Sequence, residues 1–162
     1  GVSLYRGEDV HRMRGAKRRA FCCQVQTVFQ DPYASLDPKN KVIDLIAEGM
    51  DIHHLYTGPA ERREKVQALM EQVGLNPSGI DRYPYEFSGG MRQRIMIAIA
   101  LSCNPELIIA DEPTAGLNRD DAAVVLGLLK KAKRDEDRKR AIIVVTDNPE
   151  VADQMEHCAE LE

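Results

Sequence analysis

The sequence predicts an α/β fold, a parallel sheet core carrying a helical insertion. Three observations lead there. Leu107-Ile108-Ile109-Ala110 and Ala141–Val145 are short, continuously apolar runs, the pattern of strands buried on both faces of a parallel sheet. A helical stretch, Asp120–Arg134, separates them and gives the strand–helix–strand order of α/β domains. Lys41–Gly89 reads as helix only, so it stands apart as the insertion.

Each element follows in order. Residues 1–20 are basic, with five Arg and one Lys in Arg6–Arg19, and carry only a weak strand signal at Val2–Tyr5. The basic stretch reads as an exposed linker between strands. Phe21–Phe29 alternates apolar and polar residues (Cys23, Val25, Thr27, Phe29), which predicts a strand. Gln30-Asp31-Pro32 ends it, because Pro32 lacks a ladder donor and holds Asp31 extended. Asp37-Pro38 is a second turn. Val42, Ile43, Leu45 and Ile46 recur at helical spacing within Lys41–Met50. After the Gly58-Pro59 break, Ala60–Val73 places Val66, Leu69, Met70 and Val73 on one face of an amphipathic helix, and Gly74 stops it. Ser88 precedes a helix over Gly89–Leu101, with Met91, Ile95, Ala98 and Ile99 apolar, and Asn104-Pro105 ends it. In Asp120–Arg134, Val124, Val125, Leu128 and Leu129 are expected to point inward.

Composition narrows the function. The chain has 162 residues, about one domain, with Lys+Arg 22 against Asp+Glu 26 and a net charge of −4. Mild acidity argues against a nucleic-acid partner, whose phosphates call for surplus Lys and Arg. Aromatic residues are 5% with no Trp, too few for base-stacking platforms. No apolar run is long enough to span a bilayer, and the first twenty residues are too charged for a secretory signal. Cys22, Cys23, Cys103 and Cys158 have no metal-ligand spacing, which suits a reducing cytosol. His53-His54 reads as a surface pair, and the charge run Lys130–Arg140 as a solvated helix end and turn.

Two segments could carry chemistry. Asp111 and Glu112 follow a buried strand, so both reach the C-terminal edge of the sheet, where α/β folds hold ligands. One carboxylate can hold a metal while the other works on a nucleophilic water. Taken alone, Asp-Glu-Pro reads equally well as a polar turn. Ser88-Gly89-Gly90-Met91 opens a helix with free N–H groups and the positive end of the helix dipole, an arrangement suited to phosphate. Alone, it reads more readily as an ordinary Ser cap.

Together these signals are far more specific. Ser88 and Asp111 are 23 residues apart, joined by one helix, a Pro break and a buried strand, with a strand-end Val28-Phe29-Gln30-Asp31-Pro32 upstream. This constellation resembles the ATP-binding subunits of ABC transporters. Phe29-Gln30-Asp31-Pro32-Tyr33-Ala34-Ser35-Leu36-Asp37-Pro38 and Arg82–Arg94 look like the branch driving oligopeptide, dipeptide and nickel uptake, and Met91 fits that branch. The resemblance implies a P-loop NTPase core lacking its first strands. It divides the chain into a Q-loop part of the core (1–38), a helical subdomain (39–87) and a part with signature helix, Walker B strand, D-loop and switch (88–162). It makes Glu112 the catalytic carboxylate, Asp111 and Gln30 the Mg²⁺ ligands, and Gln30, Ser88, Gly89, Gly90 and Met91 nucleotide-binding residues. Ala115, Gly116, Leu117 and Asn118 take the D-loop position. Mg-ATP, a second ATPase subunit arranged head to tail and transmembrane permease subunits are the implied cofactor and partners. The implied location is cytoplasmic, peripheral at the inner face of the membrane.

Three departures qualify the resemblance. The phosphate-cradling loop G-x-x-x-x-G-K-[ST] does not occur in these residues, and in the family it lies upstream of the Q-loop. The chain is therefore expected to be N-terminally incomplete: a fragment, a degenerate paralogue or a redesigned form, with core surface left exposed. Leu161-Glu162 resembles a cloning scar. The family's switch histidine is replaced by Asp147, and at ~4 Å and an effective dielectric of ~20 a carboxylate repels a phosphate charge by about 4 kcal/mol. Asn118 stands where the D-loop usually has Asp. Tight ATP binding or turnover by the chain alone is not expected. One reading is then an incomplete ATP-hydrolysing subunit of a peptide-type importer. The alternative is a non-catalytic module that supplies Ser88–Met91 to a partner's site or docks on a permease.

Overall fold

The structure, a computed structural model, describes residues 1–134 and 139–159, so Leu161-Glu162 and the centre of the Lys130–Arg140 run lie outside the described residues. The chain begins with a hairpin of β1 (Leu4–Tyr5) and β2 (Glu8–Asp9), Leu4 opposite Asp9. Arg6 (φ 50°) and Gly7 (φ 80°) form its turn, both left-handed as a type I′ turn requires. The Tyr5 hydroxyl and the Arg6 guanidinium donate to the Glu106 carboxylate at 2.9 and 2.6 Å, fastening the hairpin to the main sheet. A helix, α1 (Gly15–Gln24), comes next, so the basic stretch is hairpin and helix rather than linker.

The expected strand over Phe21–Phe29 is shorter in fact: β3 covers Val25–Val28. Its ladder partner sets the limit. β3 pairs parallel with β4 (Leu107–Asp111), beginning at Val25 opposite Leu107. Just before β4, the Glu106 N–H donates to the Gln24 carbonyl, and Pro105 beyond it has no N–H to offer. Residues 21–24 therefore stay in the last turn of α1, which the Val25 N–H closes on the Phe21 carbonyl.

A parallel three-stranded sheet of order β3-β4-β5, with β5 at Ala141–Val145, forms the core layer. The α/β class and its parallel sheet are as expected. Burial on both faces is not. Ile108 and Ala110 are fully buried on one face, whereas Ile143 and Val145 on the other are 50% and 40% exposed. A groove of about 540 Å³, lined by Leu129, Ile142, Val144 and Met155 among others, opens beside β5.

The covered face packs against α5 (Gly89–Ser102), which is buried along most of its circumference: Gln93, Ile95, Met96, Ile97, Ala98, Ala100 and Leu101 are all inside. The amphipathic stripe read from Met91, Ile95, Ala98 and Ile99 is thus too narrow, since a central helix needs apolar residues all round. On its far side lie α3 (Val42–His53), burying Val42, Leu45, Ile46, Ala47 and Met50, and α4 (Pro59–Gln72), burying Val66 and Met70. Gly74, at φ 71°, ends α4, and Arg94 donates to its carbonyl at 2.8 Å. α6 (Arg119–Lys133) buries Val125, Leu126, Leu129 and Ala132, so Val124 points outward and Leu126 inward, against expectation. Arg140, at the end of the presumed solvated run, is buried: it donates to the carbonyls of Pro105 and Ala132 and to Asn104 Oδ1. A cation at the carbonyl end of α6 also complements its dipole. The short α7 (Pro149–Ala152) completes the described elements.

One polar cluster joins α3 to α4. Arg62 donates to both oxygens of Asp51, at 2.9 and 2.8 Å, and to Asp44 at 3.1 Å, while the Tyr56 hydroxyl donates to Asp51 at 2.7 Å. The Arg62 hydrogen bonds hold the Asp51 carboxyl below its ordinary 3.8, outweighing the opposing effect of burial. A carboxyl depressed in the folded state adds stability above its unfolded pKa and loses it as pH falls through the folded value. Asp51→Asn should therefore lower stability by ~1 kcal/mol near neutral pH. Urea melts across the acid range should show that difference closing below about pH 4.

Candidate functional site

Parallel register places three chain segments at one edge. Val28 stands opposite Ala110 and Ala110 opposite Val144, so the residues after β3, β4 and β5 leave the sheet side by side. After β3 come Phe29 and Gln30, both exposed. Asp31 Oδ1 then accepts from the Tyr33 and Ala34 N–H groups at 2.8 and 3.3 Å, capping the short α2 (Pro32–Ser35). The sequence reading of a strand stopped by Asp31-Pro32 matches this geometry, with Asp31 at φ −111° and ψ 102°.

At the end of β4 the two carboxylates part. Asp111 is the last residue of the ladder, opposite Val145, and is exposed. Glu112 adopts φ 42°, a left-handed conformation that a non-glycine residue seldom takes without a constraint. The constraint is visible in its partners. Its N–H donates to the Val145 carbonyl at 2.8 Å. Its carboxylate accepts from Thr146 Oγ1 at 3.1 Å and from the Asp147 N–H at 2.5 Å. Glu112 is thus clamped to the segment after β5, while Asp111 stays free of that clamp. Thr146 as a Glu112 partner escaped the sequence reading, because nothing in a linear sequence shows that residues 34 apart leave neighbouring strands together.

The segment Ala115–Asn118 is a pair of turns. Ala115 donates to the Glu112 carbonyl at 3.0 Å and Leu117 to the Thr114 carbonyl at 3.2 Å, with Gly116 left-handed at φ 71°. Asn118 caps α6: its Oδ1 accepts from the Asp121 N–H and its Nδ2 donates to Asp121 Oδ2, both at 2.8 Å. An Asp at 118 could make only the first of these bonds.

Ser88 caps α5 as expected, its Oγ accepting from the Met91 N–H at 3.3 Å. Of the two glycines after it, Gly90 is tightly enclosed and Gly89 is in ordinary contact. A Cβ on Gly90 would lie 2.3 Å from the Asp121 carboxyl carbon, and one on Gly89 would be 3.6 Å from the Tyr33 hydroxyl. Tyr33 also lies under the Arg92 guanidinium, 4.1 Å from the ring centroid, joining the turn after Gln30 to the start of α5. Asp121 was missed, although its i+3 spacing from Asn118 is a capping signal.

Donor chemistry here fits Mg²⁺. Asp111 and Gln30 leave adjacent strands at the same edge and offer only oxygen ligands, the hard donors this ion takes.

Gly90 gives a direct stability test. Gly90→Ala should destabilise by ~1–2 kcal/mol, since the new methyl displaces the Asp121 carboxylate from Asn118. In an Asp121→Ala background the same change should become neutral or stabilising by up to ~1 kcal/mol, as Ala normally is over Gly in a helix. Urea denaturation of the four proteins measures the sign reversal.

Comparison with known proteins places this geometry. A family model described as ABC transporter matches residues 1–115. The chain is 48% identical over 136 residues to the oligopeptide transport ATP-binding protein OppF of Bacillus subtilis (strain 168), covering 83% of this chain and 45% of that protein. It is 42% identical over 136 residues to the dipeptide transport ATP-binding protein DppF of Lactococcus lactis subsp. cremoris (strain MG1363), covering 84% and 44%. The chain thus spans less than half the length of these relatives. Among solved structures, it superimposes with a TM-score of 0.74 and 26% identity on the dimeric ATP-binding cassette MJ0796 in a post-hydrolysis state bound to ADP and Pi, covering 92% of this chain and 63% of that one.

Proposed function

Because the chain belongs to the ABC transporter family, in the branch of the peptide importers, we propose that it is part of the ATP-binding and ATP-hydrolysing subunit of an importer for oligopeptides or dipeptides. The observation that carries this reading is the clamp on Glu112. Its carboxylate is fixed between Thr146 and Asp147 beside the free Asp111, at the sheet edge where Gln30 also emerges. Glu112 then orients a water for attack on the terminal phosphate of ATP and accepts its proton. Asp111 and Gln30 hold Mg²⁺, which when bound neutralises phosphate charge. Ala115, Gly116, Leu117 and Asn118 set the distance between Glu112 and α6. In this proposal residues 1–38 and 88–159 are core and 39–87 a helical subdomain.

Ser88, Gly89, Gly90 and Met91 form the second half of the site. The N–H groups of Gly89 and Gly90 at the start of α5 would face the γ-phosphate of an ATP cradled by a second subunit, arranged head to tail, while the Met91 N–H stays with Ser88 Oγ. The turn after Gln30, held to α5 through Tyr33 and Arg92, passes the state of that phosphate to permease subunits at the cytoplasmic face of the membrane. No helix among the described residues is long and apolar enough to cross a membrane itself.

A second reading has its own support. These 162 residues contain no G-x-x-x-x-G-K-[ST], and Asp147 puts a carboxylate where the switch contacts phosphate. As a module without catalysis of its own, the chain completes a site whose phosphate cradle another subunit provides.

Calorimetric titration with Mg-ATP separates these cases. Heat is expected only with a partner that carries the phosphate loop, beyond what the partner gives alone, and lost on Ser88→Arg. Saturable binding by the chain alone would overturn the assignment of the cradle to a second subunit. In a fusion that supplies the phosphate loop in the same polypeptide as Glu112, Glu112→Gln should reduce hydrolysis by at least ~100-fold. Asp147→His should raise nucleotide affinity by removing a repulsion of up to about 4 kcal/mol.

A further inference from the structure

Far from the sheet edge, three soft ligands converge at the opposite end of α5. Cys23 comes from α1, His53 from the last turn of α3, and Cys103 from the residue that ends α5. Their ligand atoms, two Sγ and one imidazole nitrogen, all lie within 4.8 Å of one another. Cys103 is buried, while Cys23 and His53 are half-buried. We propose that Cys23, His53 and Cys103 bind one Zn²⁺ ion, with a solvent molecule completing the coordination.

The packing around the cluster is shaped for the Cys103 sulfur. Gly49 lies one turn before His53 on α3, and a Cβ there would come within 2.6 Å of Cys103 Sγ. Any larger residue at 49 would displace the Cys103 thiol. The Cys23 thiol points the same way, its Sγ 3.9 Å from the Cys103 carbonyl oxygen. Ser102 Oγ reaches both the Ile99 carbonyl, at 2.8 Å, and the Cys103 sulfur, at 3.9 Å.

Ligand chemistry selects the ion. Two thiolates and an imidazole suit a thiophilic ion such as Zn²⁺ and are poor ligands for Mg²⁺ or Ca²⁺. Zn–S bonds of ~2.3 Å and Zn–N bonds of ~2.0 Å put tetrahedral ligand atoms about 3.5–3.8 Å apart. Closing the cluster from at most 4.8 Å therefore asks for movements of about 1 Å. Desolvation pushes the Cys103 thiol up to about 11 without metal, a cost that Zn²⁺ offsets by binding thiolate outright. The half-buried positions of Cys23 and His53 leave an entry path and a place for the fourth ligand. The site is independent of the nucleotide chemistry, because α5 separates the two ends by ~21 Å.

The test uses the reduced full chain, titrated with Zn²⁺ against a chromogenic chelator and with Co²⁺ as a spectroscopic probe. One ion per chain is expected, with a thiolate-to-cobalt charge-transfer band. Cys103→Ser and His53→Gln should each weaken Zn²⁺ binding by at least ~100-fold, beyond the usual effect of losing a group that only supports a ligand. Circular dichroism should be unchanged in both, which excludes misfolding as the cause. Cys22→Ser and Cys158→Ser, which remove exposed thiols, should leave affinity unchanged. Equal binding by Cys103→Ser, binding that depends on Cys22 or Cys158, or a Cys23–Cys103 disulfide with no metal retained under reduction would each overturn the site.

Discussion

Parallel register is the constraint on which the candidate site depends. Residues as distant in the chain as Gln30, Glu112 and Asp147 leave the sheet at one edge because β3, β4 and β5 run in the same direction and end together. In an antiparallel sheet the same residues would alternate between opposite edges. Register also explains the strain at Glu112: the chain must leave β4 while its carboxylate stays within reach of the neighbouring segment, and a left-handed turn accomplishes both. The clamp in turn fixes Thr146 and the Asp147 backbone, so a substitution at 147 changes the charge presented there without removing the N–H that holds Glu112.

The central helix α5 is the second organising element. It separates the sheet from α3 and α4, and its two ends carry different groups: the Ser88 cap at one, Cys103 beside Cys23 and His53 at the other. Such a helix needs apolar residues on every side, yet Gln93 is 1% exposed and its amide has no hydrogen-bond partner among the described residues. An unsatisfied buried amide costs on the order of 1–3 kcal/mol. Stability alone would place a methionine or leucine there. Gln93 lies one turn from the Gly89-Gly90 pair, close to the segment that the family resemblance assigns to nucleotide.

The sheet, its parallel direction and the positions of α3, α4, α5 and α6 were legible in sequence because they rest on local apolar periodicity and on proline and glycine stops; α1, with its basic, weakly periodic sequence, was not. Leu107–Ala110, Ala141–Val145 and the Ser88 cap all follow from such local rules. What escaped depends on distance in the chain. The strand at Phe21–Phe29 alternates correctly, but its length is set by Pro105, over seventy residues later. Val124 and Leu126 exchange roles because helix phase against the sheet, not periodicity within the helix, decides which faces inward. The Cys23–His53–Cys103 cluster has no sequence spacing at all; three different helices bring it together. The family resemblance singled out Gln30, Ser88, Asp111 and Glu112, while Thr146 and Asp121 emerged only as contacts.

The open face beside β5 has a consequence for the molecule in bulk solution. Ala141-Ile142-Ile143-Val144-Val145 is β-branched, uncharged and free of proline, and no strand among the described residues pairs with its outer edge. A segment of this kind is a template for cross-strand growth between copies. Its self-association would increase with protein concentration and with any condition that loosens α6 from the sheet. Colloidal behaviour, as well as thermal unfolding, then bounds the working range for this chain in isolation.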